Sequence, residues 1–168
     1  SWNGSAWTEV ADLGTARLKM GSAGTQTSAL AFGGAVGPTA QTKCELWNGT
    51  SWTEVADITD AREAISGTGA DNTSALAFGG SGPSAATEEW TGAGAPIGAW
   101  TTGGNLNSAR RVAAGAGTTY TAALMFGGTP APLKAFTESY DGTSWTEVND
   151  LNTGRRDIAG NGSQTAAI

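Results

Sequence analysis

Histidine is absent from this 168-residue chain, and cysteine occurs once, at Cys44. The first absence removes the usual base of a nucleophilic triad and the commonest transition-metal ligand. The second excludes an intrachain disulfide. With no histidine to activate its thiol, Cys44, set between Lys43 and Glu45, reads as a strand residue and not a nucleophile. Charge is scarce: nine Lys and Arg stand against fifteen Asp and Glu, a net charge of −6, and no basic cluster occurs. A phosphate backbone would be repelled, so no nucleic acid partner is expected. Apolar runs such as ALAF fall far short of the roughly 20 residues that cross a bilayer, so no membrane insertion is expected. No catalytic group, metal or cofactor is expected either.

What is present is repetition. Trp7, Trp52, Trp100 and Trp145 recur at intervals of 45, 48 and 45 residues. Counted from each tryptophan, the next residue is always Thr (Thr8, Thr53, Thr101, Thr146). The sixth is Leu13, Ile58, Leu106 or Leu151, and the tenth is Arg17, Arg62, Arg110 or Arg155. An apolar run ends in a diglycine at Gly34, Gly80 and Gly128, and a fourth run, TAAI, reaches Ile168. A period of this length marks stacked supersecondary units, none of which can bury its apolar face alone. Twenty-six glycines and many Thr, Ser and Ala residues exclude helical solenoids, so the array is all-β.

One unit, residues 62–109, reads as four short strands. REAISGTGA and NTSALAFGG form the first two, TEEWTG the third and AWTTGGNL the fourth. In WNGTSW and YDGTSW, Asn-Gly or Asp-Gly marks the bend of a hairpin between the third and fourth strands. The flanking aromatics are expected to face each other across it. Trp90 and Trp100 are separated by TGAGAPIGA, five residues longer, which is expected to bulge so that the pair survives.

Asp12, Asp57, Asn105 and Asp150 lie five residues before the arginines, and a carboxylate–guanidinium pair there would fix each crossover. Seven residues after each arginine stand Gly24, Gly69, Gly117 and Gly162. A crowded innermost strand or a positive φ accounts for them. Glu9, Glu54 and Glu147 recur at equivalent positions, as do Glu45, Glu88 and Glu138, and both sets are expected on strand faces.

With the diglycine after an apolar strand, the aromatic at Trp47, Trp90 or Tyr140 and the tryptophan at Trp52, Trp100 or Trp145, the unit resembles the kelch repeat. That resemblance implies a kelch-type β-propeller built from four-stranded blades. Blades 17–61, 62–109 and 110–154 would be flanked by half-blades 1–16 and 155–168, all in one partial propeller over residues 1–168. The halves are complementary but too short to close a blade together. A segment of a longer propeller, or completion by another chain with association into oligomers, is therefore expected.

The phrase WNGTSWTEVAD also resembles repeat arrays of bacteriophage virion and tail proteins and bacterial surface proteins. The function this implies is a non-enzymatic structural or adhesive module on a virion tail, a fibre or a cell surface. Such a module presents the loops GGAVGPTAQT, GGSGPSAAT and GGTPAPLKAFT to a surface glycan or a protein. Its partners would be other subunits of an assembly or further blades of the same propeller. The alternative is an intracellular kelch-type adaptor that binds acidic peptides through Arg17, Arg62, Arg110 and Arg155, which are therefore the candidate ligand residues. A glycan-acting enzyme is disfavoured: SYDGTSW is similar to a sialidase Asp-box but lacks the residue between its aspartate and glycine, and the carboxylates are periodic where catalysis wants an unlike pair.

Overall fold

The computed structural model describes residues 1–92 and 98–168, and the middle of the bulge expected over residues 91–99 lies outside them. The described chain is all-β. Three four-stranded antiparallel sheets follow one another, each inside one of the intervals delimited by the arginines. The first joins β1 (Gly21–Thr25), β2 (Ser28–Phe32), β5 (Cys44–Trp47) and β6 (Trp52–Val55). Between β2 and β5 lies a small hairpin, β3 (Ala35–Val36) with β4 (Thr39–Ala40), turning at Gly37-Pro38. The second sheet is β7 (Ser66–Asp71), β8 (Ser74–Phe78), β9 (Thr87–Thr91) and β10 (Ala99–Thr102). The third is β11 (Ala114–Thr119), β12 (Ala122–Phe126), β13 (Thr137–Tyr140) and β14 (Trp145–Val148). The trailing segment forms a short pair, β15 (Gly162–Ser163) with β16 (Ala166–Ala167), and the leading segment pairs Trp2 with Trp7.

The second strand of each sheet shows why the sheets stack. Successive side chains of a strand point to opposite faces, so SALAF sends Leu and Phe one way and Ala the other. Leu30 and Phe32 pack against Ala75, Ala77, Trp90 and Trp100 of the second sheet. Leu76 and Phe78 pack in turn against Ala123, Met125, Tyr140 and Trp145 of the third. Every sheet thus sends the Leu and Phe of its second strand forward and receives its predecessor's on a backward face of second-strand Ala or Met and third- and fourth-strand aromatics, and the core lies between sheets. Phe32 meets Trp100 and Phe78 meets Trp145 edge to face, both with ring centroids 5.2 Å apart.

Within each sheet the aromatic pairs occupy opposed positions, as the hairpin reading predicts: Trp47 with Trp52, Trp90 with Trp100 and Tyr140 with Trp145, at centroid distances of 5.2, 5.3 and 4.9 Å. The bend differs in detail. Only Gly49 and Gly142 carry positive φ, while Asn48 and Asp141 act through their side chains, accepting N–H groups two and three residues on at 2.8–2.9 Å. Such side-chain turns suit a four-residue loop, where a two-residue turn would need positive φ at both positions.

Strands β1, β7, β11 and β15 lie side by side around an axial cavity of about 240 Å³ lined mainly by their glycines, with Thr68 and Asn161. Gly24 has φ +111°, and a Cβ there would overlap the Ser28 carbonyl oxygen across the hairpin. Positive φ therefore accounts for this glycine, and the crowding comes from its own hairpin partner and not from the neighbouring innermost strands. Around a second cavity of about 220 Å³, Lys19, Ala64, Val112 and Asp157 adopt left-handed conformations, each two residues after an arginine. Their backbones form a staircase: Ala64 N–H donates to Lys19 C=O, Val112 to Ala64 and Asp157 to Val112, at 2.8–3.2 Å. These bonds compensate a conformation that side-chain-bearing residues seldom adopt.

Candidate functional site

The arginines at the crossovers are the sequence's candidate ligand residues, held by backbone, by side chain, or, for Arg62 and Arg110, by both. The backbone docks on the preceding sheet: Gly34 N–H donates to Arg62 C=O, Gly80 to Arg110 and Gly128 to Arg155, at 2.7–2.9 Å. This close approach explains the diglycines, since a Cβ on Gly79 or Gly127 would lie 2.6 Å from the next arginine's carbonyl oxygen. The side chain enters the arginine's own sheet. Nη1 of Arg17 donates to Gly33 and Lys43 C=O, that of Arg62 to Gly79 and Ala86, and that of Arg110 to Gly127 and Phe136.

Nη2 then meets a carboxylate. Arg17 pairs with Glu45 at 2.9 Å, Arg62 with Glu88, and Arg110 with Glu138 at 2.6 Å. The second carboxylate oxygen accepts the backbone N–H three residues before the arginine, from Gly14, Thr59 and Asn107, each at 2.7 Å. All three guanidinium groups are buried, at 0%, 4% and 0% side-chain exposure. Burial pulls the Arg110 pKa below its ordinary value, against the upward pull of Glu138.

This corrects the expected pairing. Asp57 takes the Thr42 hydroxyl at 2.8 Å and the Cys44 N–H at 3.3 Å, and Asp150 takes the Thr137 N–H. These aspartates tie the start of the third strand to the chain leaving the fourth, while the arginine faces the other way, into the sheet that follows it. The glutamates were placed on strand faces, and Glu45, Glu88 and Glu138 do lie on the third strands, but buried and paired. The available signal was a fixed motif, Glu-x-Trp or Glu-x-Tyr, lying 28, 26 and 28 residues after each arginine.

Arg155 stands apart. Its backbone is held like the others, by Gly128 N–H and Lys134 C=O, but its exposed side chain reaches only the Thr153 carbonyl, through Nε at 3.3 Å. The four arginines therefore do not present one ring of free cations: three are spent inside the frame, and one is accessible.

Cys44 is buried in β5, and burial raises its thiol pKa to about 12. Its place is that of Thr87, whose hydroxyl accepts the Trp145 indole N–H at 3.0 Å across the sheet boundary. The Trp100 indole N–H has only the Cys44 sulfur in the corresponding place and makes no full hydrogen bond. The third boundary residue, Tyr140, donates to Glu89 at 2.5 Å and accepts from Gly104 N–H, and burial raises its pKa to about 12.

Three of the recurring arginines and the glutamates Glu45, Glu88 and Glu138 are thus consumed by structure. What varies lies in the connections between second and third strands, residues 35–42, 81–86 and 129–136, whose ends are the carbonyls that the arginines hold. These loops and the crossovers share one face of the array. In comparisons with known proteins, no family model and no curated protein matches the chain.

Proposed function

We propose that this chain is part of a kelch-type β-propeller that serves as a non-enzymatic structural or adhesive module, at the surface of a virion tail or fibre or of a cell. In this reading the variable loops over residues 35–42, 81–86 and 129–136 present contacts to a glycan or a protein. The observation that carries it is the fate of the periodic charges: Arg17, Arg62 and Arg110 with Glu45, Glu88 and Glu138 are buried ion pairs that fasten each loop to its sheet. A rigid frame carrying unlike loops is the usual architecture of a presenting surface. The adaptor alternative requires the four repeated arginines to be accessible, and of these only Arg155 has an exposed side chain.

The test is binding of the 168-residue chain to a glycan array and to whole cells, with the three loops replaced together by Gly-Ser segments of equal length. Binding that vanishes with the loops while the fold is retained supports the reading. Binding that survives the replacement, or release of sugar from any bound glycan, rejects it.

A further inference from the structure

The connections between second and third strands differ in length, yet their bases are alike. In each, the first glycine of the diglycine donates to the carbonyl at the far end of the loop: Gly33 to Lys43, Gly79 to Ala86 and Gly127 to Phe136, at 2.9–3.1 Å. A second rung lies further out, from the N–H groups of Gln41, Ser84 and Lys134 to Gly34, Gly80 and Gly128 C=O, at 2.9–3.2 Å. The residue after each diglycine is held as well, because Leu18 bridges Ala35, Glu63 meets Ser81 and Arg111 bridges Thr129. Beyond these shared bonds lie three short tips, residues 36–40, 82–83 and 130–133.

The tips read VGPTA, GP and PAPL, and Thr39 supplies their one side-chain hydrogen-bonding group. Val36 is 43% exposed and Leu133 48%, and Leu18, on the crossover beside the first tip, is also 48% exposed. A glycan is held by groups that satisfy its hydroxyls, since a desolvated hydroxyl without a partner costs free energy. Tips of Val, Pro, Ala and Leu offer almost none, but they match the apolar centre of a contact between proteins. In the third tip Leu133 stands between Pro132, whose ring fixes φ, and the Lys134 rung, so little freedom is lost when it is covered.

The third tip is also bracketed by cations. Arg111, joined to Thr129 just before the tip, is exposed, and Lys134 follows the tip with its ammonium 5.3 Å from the centre of the Phe136 ring. Neither forms an ion pair among the described residues, and the tip itself contains no acid. The loops lie across the strand ends and not between sheets, so this surface is the same whatever stands beside the three sheets.

We propose that the tip over residues 130–133 is a docking surface for a protein whose contact patch is apolar and rimmed by carboxylates. Leu133 enters that patch, while Arg111 and Lys134 meet its rim. The inference rests on the reading that the loops make the contacts, and it selects protein over glycan within that reading.

Fluorescence anisotropy of short labelled peptides mixed with the 168-residue chain tests it, beside a glycan array. One peptide alternates Leu or Phe with Asp or Glu, a second carries Lys in place of the acids, and a third carries Ser in place of the apolar residues. The first binds about tenfold more tightly than either of the others, and added salt weakens it. Leu133→Ser lowers that affinity about tenfold with an unchanged circular dichroism spectrum. Joint reversal, Arg111→Glu with Lys134→Glu, moves the preference to the second peptide. Should that variant not fold, Arg111→Gln with Lys134→Gln erases the preference between the two charged peptides. No binding of the first peptide, equal binding of the first and third, or Leu133→Ser that binds like wild type overturns the proposal. So does a glycan whose binding is lost when the tips alone are replaced, an outcome that leaves the loops as the presenting surface. Peptide binding that survives replacement of all three loops overturns both this inference and the reading beneath it.

Discussion

Arg110 and Arg155 begin alike. Each follows a Trp-Thr phrase by the same count, docks its backbone on the preceding sheet and accepts a diglycine N–H. Beyond that point they diverge. Arg110 is sealed against Glu138 and two loop carbonyls, whereas the Arg155 side chain lies exposed. The local sequence sets where the guanidinium starts; a strand almost thirty residues later decides what becomes of it. Energies follow the same division. An exposed cation contributes little, but removing one partner of a buried pair strands the other charge.

The largest expected effect exploits that contrast. Arg110→Ala destabilises by about 3–5 kcal/mol, because Glu138 is left buried without its cation. Arg155→Ala changes stability by less than about 0.5 kcal/mol. Urea unfolding of the two variants checks both, and equal effects would mean that the exposed arginine is also structural. Next in size is Gly24→Ala, expected to cost about 2 kcal/mol because a side chain is forced into φ +111° against the Ser28 carbonyl. Gly162→Ala meets the same local clash at φ +110°, but β15 has a single, two-residue partner strand, so a smaller loss of global stability is expected in the same assay.

Alkaline pH compares two internal boundaries. The Cys44 thiol and the Tyr140 hydroxyl are both raised to about 12 on folding, from 9.0 and 10.0. The folded chain binds these protons more tightly than the unfolded chain, so stability is full below about pH 9 and declines as pH rises toward 12. Cys44→Thr, which gives the Trp100 indole the acceptor that Thr87 gives Trp145, removes the earlier part of the decline. At pH 7 it stabilises by about 0.5–1 kcal/mol, measured by urea unfolding across the pH range.

The smallest effect separates two hairpins of one design. Backbone N–H groups of Ser144 and Thr143 hold Asp141 below the ordinary carboxylate range, while Asn48 does the same work without charge. The contribution of Asp141 is present above the usual aspartate pKa and is lost as pH falls through its lowered value. Amide signals of the third sheet's turn therefore change in acid before those of the first, and Asp141→Asn abolishes the difference.

Much of the architecture was legible in the sequence because it rests on local rules. SALAF alternates large and small, Asn-Gly and Asp-Gly mark bends, and the aromatic pairs follow from a four-residue spacing. The partner of each arginine was not, because aspartate five residues before it is as good a charge match as glutamate 26 or 28 residues after it, and only strand direction separates them. The left-handed residues Lys19, Ala64, Val112 and Asp157 share no side-chain property, so their common backbone role left no trace in residue type. The β3–β4 hairpin had a signal, Gly37-Pro38, that the loop reading passed over.

The contrast between forward and backward faces gives the array a direction. Since every forward face meets a backward one, a unit excised whole leaves its former neighbours still matched, and a unit copied whole fits beside its parent. Length can therefore change in genetic steps of one complete period without redesign of the remaining core, whereas a deletion of half a period sets like faces against each other.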